Sequence, residues 1–330
     1  MNGQQVDGIL VQWGERLFYP SNRIVKSMPT PRLGTLMRRK AAVIRQRIEA
    51  TVRRVPQVMV KVTGGGRGMA AIAAHFRYIS KNGRLDIEDD REVVRNGKED
   101  VRDLVDQWRF GGSRIEDEGH RREAFNVMLS MPAGTNAELL KRAVREFAQV
   151  ELAGHRYVMV LHEHQANPHV HLSVKAEGIS GKRLNPRKAD LQRWRETFAE
   201  KLRGWGIEAE ATRQPTRGEN RNYEHLWQLK ARQEGRLRAQ HAMAKAKPQG
   251  SRGHADAMVS WAHIVEALAE SEVDGDRELA ERISSFVRGT SVFKEAERRQ
   301  PQQGTEAHHE PSAARGREVS KPTTGQGLER

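Results

Sequence analysis

The chain has 330 residues, enough for one large domain or two with a sizeable core. Its 57 Lys and Arg against 43 Asp and Glu leave a formal charge of +14, which points to a polyanionic partner, nucleic acid in preference to an anionic membrane. The absence of cysteine excludes disulfides, thiolate metal sites and cysteine nucleophiles. With no apolar run long enough to span a bilayer and no apolar secretion core at the start, a cytoplasmic protein without membrane insertion is expected.

Residues 1–55 read as a basic N-terminal extension, irregular at first. A basic helix follows over Thr35–Arg54, carrying Met37–Arg38–Arg39–Lys40 and Arg45–Gln46–Arg47 as a solvated face or a phosphate-contacting one. Pro56–Val62 is a strand, and Thr63–Gly64–Gly65–Gly66–Arg67–Gly68 is a Gly-rich turn into a helix from Met69 to Ser80. Such a turn can cradle phosphate on its N–H groups, but it lacks the Lys-Ser/Thr ending of a P-loop and the spacing of a dinucleotide fingerprint. Met69, Ile72, Phe76 and Ile79 form the helix's apolar stripe, and Tyr78 falls off it.

Asp86–Asp106 is charged and partly helical. Ala124–Met131 is a strand, and Thr135 or Asn136 caps a helix to Leu152. Tyr157–Leu161 and Val170–Lys175 read as an antiparallel hairpin closed by Asn167–Pro168. His169 and His171, two apart on a strand, face the same way, and His162 ends the facing strand beside them. Three converging imidazoles suffice for a catalytic metal site that keeps a position open. His155 and His164, each taken alone, read as solvated or hydrogen-bonded side chains.

Pro186 opens a helix through Trp205, and Ile207–Thr212 is a last short strand. The expected fold is α+β, a mostly antiparallel central sheet with flanking helices on one side, spanning 56–213. A basic helical region over 214–289 follows, with an apolar-faced helical unit from Asp256 to Val287. Residues 290–330 read as a disordered tail.

Several motifs carry a resemblance when taken in order. Thr63–Gly64–Gly65–Gly66 precedes the helix bearing Phe76–Arg77–Tyr78–Ile79–Ser80. A strand and turn from Asn126 through Ser130 to Thr135 follow, then His162, His169 and His171 with their Asn–Pro–His–Val–His turn, then Thr212–Gly218. Together they resemble the conjugative relaxase, or mobilization nuclease, family, the MobA/VirD-type histidine-hydrophobe-histidine endonucleases that include the T-DNA border endonuclease. The similarity covers residues 56–215.

That resemblance implies a tyrosine that attacks one strand at an origin of transfer, stays linked to the 5′ end and frees a 3′ hydroxyl. Position by position, the implied nucleophile is Tyr78 and the implied metal ligands are His162, His169 and His171. Ser130, Arg77, Lys81 and His164 are implied near the DNA or around the ligands. The implied cofactor is a divalent metal, Mg²⁺ or Mn²⁺, with Zn²⁺ also suited to imidazole ligation. The implied partners are origin DNA, single-stranded at the nick, relaxosome accessory proteins and a type IV coupling protein.

One position departs from the family pattern: His164 stands where Asp is usual, which leaves the general base open. Two alternatives stand beside the relaxase reading. One is a non-catalytic DNA-binding accessory protein. The other is a histidine-triad-type nucleotide hydrolase, for which Ser173 occupies the third histidine position.

Overall fold

The computed structural model describes residues 1–19, 34–165, 167–219, 234–235 and 252–299. At its centre is a six-stranded antiparallel sheet. The strands are β1 (Met59–Gly64), β2 (Ile87–Asp89), β3 (Val94–Arg95), β4 (Ala124–Ser130), β5 (Tyr157–His162) and β6 (His169–Lys175), in the order β1-β4-β6-β5-β2-β3. The expected hairpin is present, with His162 opposite His169 and Val160 opposite His171.

Helices cover both faces of this sheet, where the sequence reading placed them on one side. Tyr157 and Met159 of β5 join a core with α5 (Ala137–Glu151) and α6 (Lys188–Gly204). Val158 and Val160, pointing the other way, join a second core with α3 (Met69–Ile79) and α4 (Lys98–Phe110). The uninterrupted apolar run at Tyr157–Leu161 carries this information, because a strand buried on both faces loses its polar alternation. Asn136 caps α5 by accepting from Leu139 N–H at 3.0 Å, and Gly206 ends the α6 turn with φ +77°.

Three further differences have local causes. The charged stretch after Asp86 holds β2 and β3 ahead of α4, because Glu88 is buried by Lys141 (3.0 Å) and Arg145 (2.5 Å) reaching from α5. Ile207–Thr212 makes only an isolated bridge, Gln57 to Glu210. At the start of the expected tail, Ser291–Arg299 is a helix, α9, whose first turn is anchored to the Gly218 carbonyl by Val292 N–H (3.2 Å) and Ser291 Oγ (3.1 Å). The remaining tail, 300–330, and most of the basic stretch 213–247 lie outside the described residues.

The two ends of the chain share one core. Helices α1 (Gly3–Phe18) and α2 (Gly34–Val52) pack with α7 (Arg252–Ala269) and α8 (Asp274–Arg288) through Leu10, Phe18, Ile48, Trp261, Ile264 and Ile283. Within this bundle Arg45 pairs with Asp7 at 2.6 Å and Asp276 at 3.0 Å. Arg47 lies over the rings of Phe18 and Tyr19 and reaches Glu196 on α6 at 3.6 Å. Half of the basic run on α2 therefore serves internal packing, while Arg38 and Arg39 are exposed.

The Thr212–Gly218 segment straps bundle to sheet domain. Thr216 donates to the Leu17 carbonyl at 2.7 Å and its own carbonyl accepts from Trp261 Nε1 at 2.8 Å.

Candidate active site

The site lies where β5 ends and β6 begins. Antiparallel pairing sets His162 and His169 side by side, and the two-residue period brings His171 onto the same face. Ring centroids are 5.1 Å apart for His162–His169, 4.7 Å for His162–His171 and 5.0 Å for His169–His171. One nitrogen from each ring lies within 4.8 Å of the others. The sequence-predicted trio is thus brought together.

Two of the three rings are oriented from behind. His162 Nε2 faces the Ile79 carbonyl at 2.6 Å, and His169 Nδ1 faces the Asn167 carbonyl at 3.0 Å. A ring N–H donated to a carbonyl leaves the opposite nitrogen, Nδ1 of His162 and Nε2 of His169, as a lone pair for a cation. Burial pushes His171 down to about 3, with the neighbouring imidazoles His162, His169 and His75 adding to the shift. Burial also lowers His162, despite its bond to Ile79, with His169, His164 and Lys81 opposing its protonation. Two imidazoles held by carbonyls behind them and a third alongside make a donor set that fits a divalent metal. Among the described residues no carboxylate belongs to the group.

Helix α3 delivers Tyr78 to this end of the sheet. Ile72, Phe76 and Ile79 are buried with Val158 and Val160, and Phe76 meets Trp108 edge-on at 4.9 Å. Tyr78, off that stripe as expected, is 71% exposed and one residue from the carbonyl that faces His162. After the helix, Lys81 (φ +49°), Asn82 (φ +59°) and Gly83 (φ +80°) make a tight left-handed turn. At Gly83 a Cβ would sit 2.4 Å from the Gly97 backbone, so the turn requires glycine there. This turn sets the Lys81 charge near enough to His162 to influence it.

The other sequence-singled residues fall as follows. His164 is exposed, with its ring 5.2 Å from that of His162, outside the group of three. Ser130 is buried opposite His169, and its hydroxyl donates to the Pro168 carbonyl at 3.2 Å, fixing the loop that leads into β6. Arg77 is exposed on α3. His155 Nδ1 faces the Lys175 carbonyl at 3.0 Å, a hydrogen-bonded histidine as expected. Ser173 is fully buried and donates to Asn126 at 3.2 Å, so the strand offers no third catalytic position of the histidine-triad kind.

The first two N–H groups of the helix after the Gly-rich turn are already bonded to a neighbouring loop. Met69 N–H donates to the Glu116 carbonyl (2.8 Å) and Ala70 N–H to that of Asp117 (3.2 Å). Its glycines let loops approach: a Cβ at Gly65 would lie 2.2 Å from the Ala124 carbonyl.

Sequence reasoning passed over His75. It sits three residues before Tyr78, on the same side of α3, with its ring 6.3 Å from that of Tyr78 and 6.4 Å from that of His171. The i, i+3 spacing was the available signal.

Residues 78–207 match the family model of the relaxase MobA/VirD2-like nuclease domain, and the matched stretch contains Tyr78 and the whole histidine trio. Residues 78–207 form a relaxase-like nuclease domain. No curated protein matches the chain. The relaxase family nicks DNA, which implies DNA binding, while residues 78–207 carry 23 Lys and Arg against 21 Asp and Glu, so most of the +14 charge lies outside the matched stretch. Among the described residues no helix is long and apolar enough to cross a membrane.

Proposed function

We propose that this protein is a site- and strand-specific DNA relaxase acting at an origin of transfer for conjugative mobilization of plasmid-type DNA. The observation that carries this reading is the 2.6 Å contact between His162 and the Ile79 carbonyl, which joins the imidazole trio to the helix end bearing Tyr78.

In this reading the Tyr78 oxygen attacks the scissile phosphorus. A Tyr–O–P bond forms, the P–O3′ bond breaks, and the departing 3′ oxygen takes up a proton. One phosphodiester replaces another, so the same site can rejoin the strand. A tyrosine hydroxyl is a poor nucleophile at its ordinary pKa of about 10, so a cation or base beside it must ease loss of its proton. His162, His169 and His171 would hold a divalent cation, which would offset charge on the nonbridging oxygens. An all-imidazole donor set favours Mn²⁺ over Mg²⁺ and also accepts Zn²⁺. Lys81 and Arg77 supply positive charge toward the DNA.

The partners proposed are single-stranded origin DNA, relaxosome accessory proteins and the coupling protein of a type IV secretion channel, met in the cytoplasm. The test is incubation with Mn²⁺ and a pool of randomised single-stranded oligonucleotides labelled at the 3′ end. Wild type should become covalently labelled and Tyr78→Phe should not. Salt-sensitive DNA binding without any labelling would support the accessory-protein reading instead.

A further inference from the structure

The chemistry assigned to the trio and Tyr78 leaves one buried polar atom at the site unaccounted for. Nε2 of His75 is buried and has no hydrogen-bond partner among the described residues. Only two other side-chain atoms among those residues share that condition, Trp194 Nε1 and Arg217 Nε. Trp194 is a core residue of α6 packed against α5, and Arg217 lies in the strap between sheet and bundle. Buried polar groups in folded proteins are almost always paired, so an orphan nitrogen at a reaction centre points to a partner that arrives with the substrate.

The ring's position says what that partner is. His75 neighbours both groups: its ring is stacked against that of Tyr78 at 6.3 Å and meets that of His171 edge-on at 6.4 Å. The trio's own rings are 4.7–5.1 Å apart, so His75 is set back from the cluster and is not a fourth ligand. A phosphate attacked by Tyr78 and held by a cation at the trio would have to reach both groups, and His75 neighbours both. An imidazole always carries at least one ring N–H to donate.

We propose that His75 is a substrate-contacting residue of this centre, its Nε2–H donating to a nonbridging oxygen of the scissile phosphate. The inference rests on the relaxase reading given above. It identifies a donor carried on the nucleophile's own helix, three residues earlier, so helix geometry fixes donor and nucleophile relative to each other.

The test compares wild type, His75→Phe, which keeps a ring and removes the nitrogens, and His75→Gln, which restores an N–H at a similar reach. Single-turnover labelling by the randomised 3′-labelled oligonucleotide pool is measured at saturating DNA. Mn²⁺ affinity is measured by calorimetry and the melting temperature is recorded for each variant. His75→Phe should slow labelling by about 100-fold, the usual effect of losing one donor to developing charge, with Mn²⁺ affinity unchanged. His75→Gln should recover part of the rate.

Labelling of His75→Phe at the wild-type rate overturns the proposal. So does a loss of Mn²⁺ affinity parallel to the loss of rate, which would make His75 a ligand, or a rate that tracks the melting temperature across both variants. If wild type itself is never labelled, the relaxase reading fails and this inference with it. A labelled wild type with an equally active His75→Phe sinks the inference alone.

Discussion

His162 Nε2 and the Ile79 carbonyl oxygen lie 2.6 Å apart, so the last turn of α3 is bonded to the first imidazole of the trio. That contact spans 83 residues of sequence and bears on two things together: which nitrogen of His162 is left toward the other two imidazoles, and where the helix end carrying Tyr78 stops. A carbonyl cannot be removed by side-chain substitution. The consequences are therefore best examined through the groups on either side of it.

His171→Ala should weaken Mn²⁺ binding by more than the 10–100-fold typical of changes around a ligand, because it deletes a ligand itself. The fold should hold, since His171 belongs to none of the apolar cores on either side of the sheet. Calorimetric titration with Mn²⁺ and a thermal melt check both parts. Chelation by EDTA should stop nicking in the wild type and added Mn²⁺ should restore it.

Glu88 gives a pH dependence of stability. Burial alone would raise its pKa, but hydrogen bonds and charge from Arg145 and Lys141 outweigh burial and leave it below the ordinary 4.5. A carboxylate whose folded pKa is depressed stabilises the fold above the unfolded pKa, and that contribution is lost as pH falls through the lower folded value. Stability should therefore decline below pH 4.5. Glu88→Gln should be less stable at pH 7 by about 2 kcal/mol, the scale of hydrogen bonds to a charged group, and the gap should close on acidification. Urea melts at pH 7 and in acid measure both values.

Deleting residues 1–19 should loosen helices that lie more than 230 residues further along the chain. Leu10 and Phe18 pack on Trp261, Ile264 and Ile283, and Thr216 is bonded to the Leu17 carbonyl. Hydrogen exchange should quicken across 252–288 and in the 212–218 strap, while β4, β5 and β6 keep their protection. Unchanged exchange in 252–288 would contradict a shared core.

Much of the sheet was readable because its signals are local. The alternation His169–Val170–His171–Leu172 fixed which side chains share a face, Asn136 announced α5, and Tyr78 stood off the apolar stripe of α3. What stayed hidden depends on distant partners. Ile87–Glu88–Asp89 looks like a charged loop until Lys141 and Arg145 arrive to bury Glu88. Nothing near α1 states that its apolar face meets helices after residue 252. His75 is unremarkable until β6 brings His171 to 6.4 Å from it. The basic run on α2 reads as one patch, yet Arg45 and Arg47 are spent on Asp7, Asp276 and Glu196.

The most direct measurement is peptide mapping by mass spectrometry of the covalent product formed with single-stranded DNA, prepared with Mn²⁺ and with EDTA. The expected result is a nucleotide phosphate on the peptide containing Tyr78, present with Mn²⁺ and absent with EDTA. Attachment at any other residue, or attachment at Tyr78 that is indifferent to metal removal, contradicts a trio-held cation serving a tyrosine nucleophile.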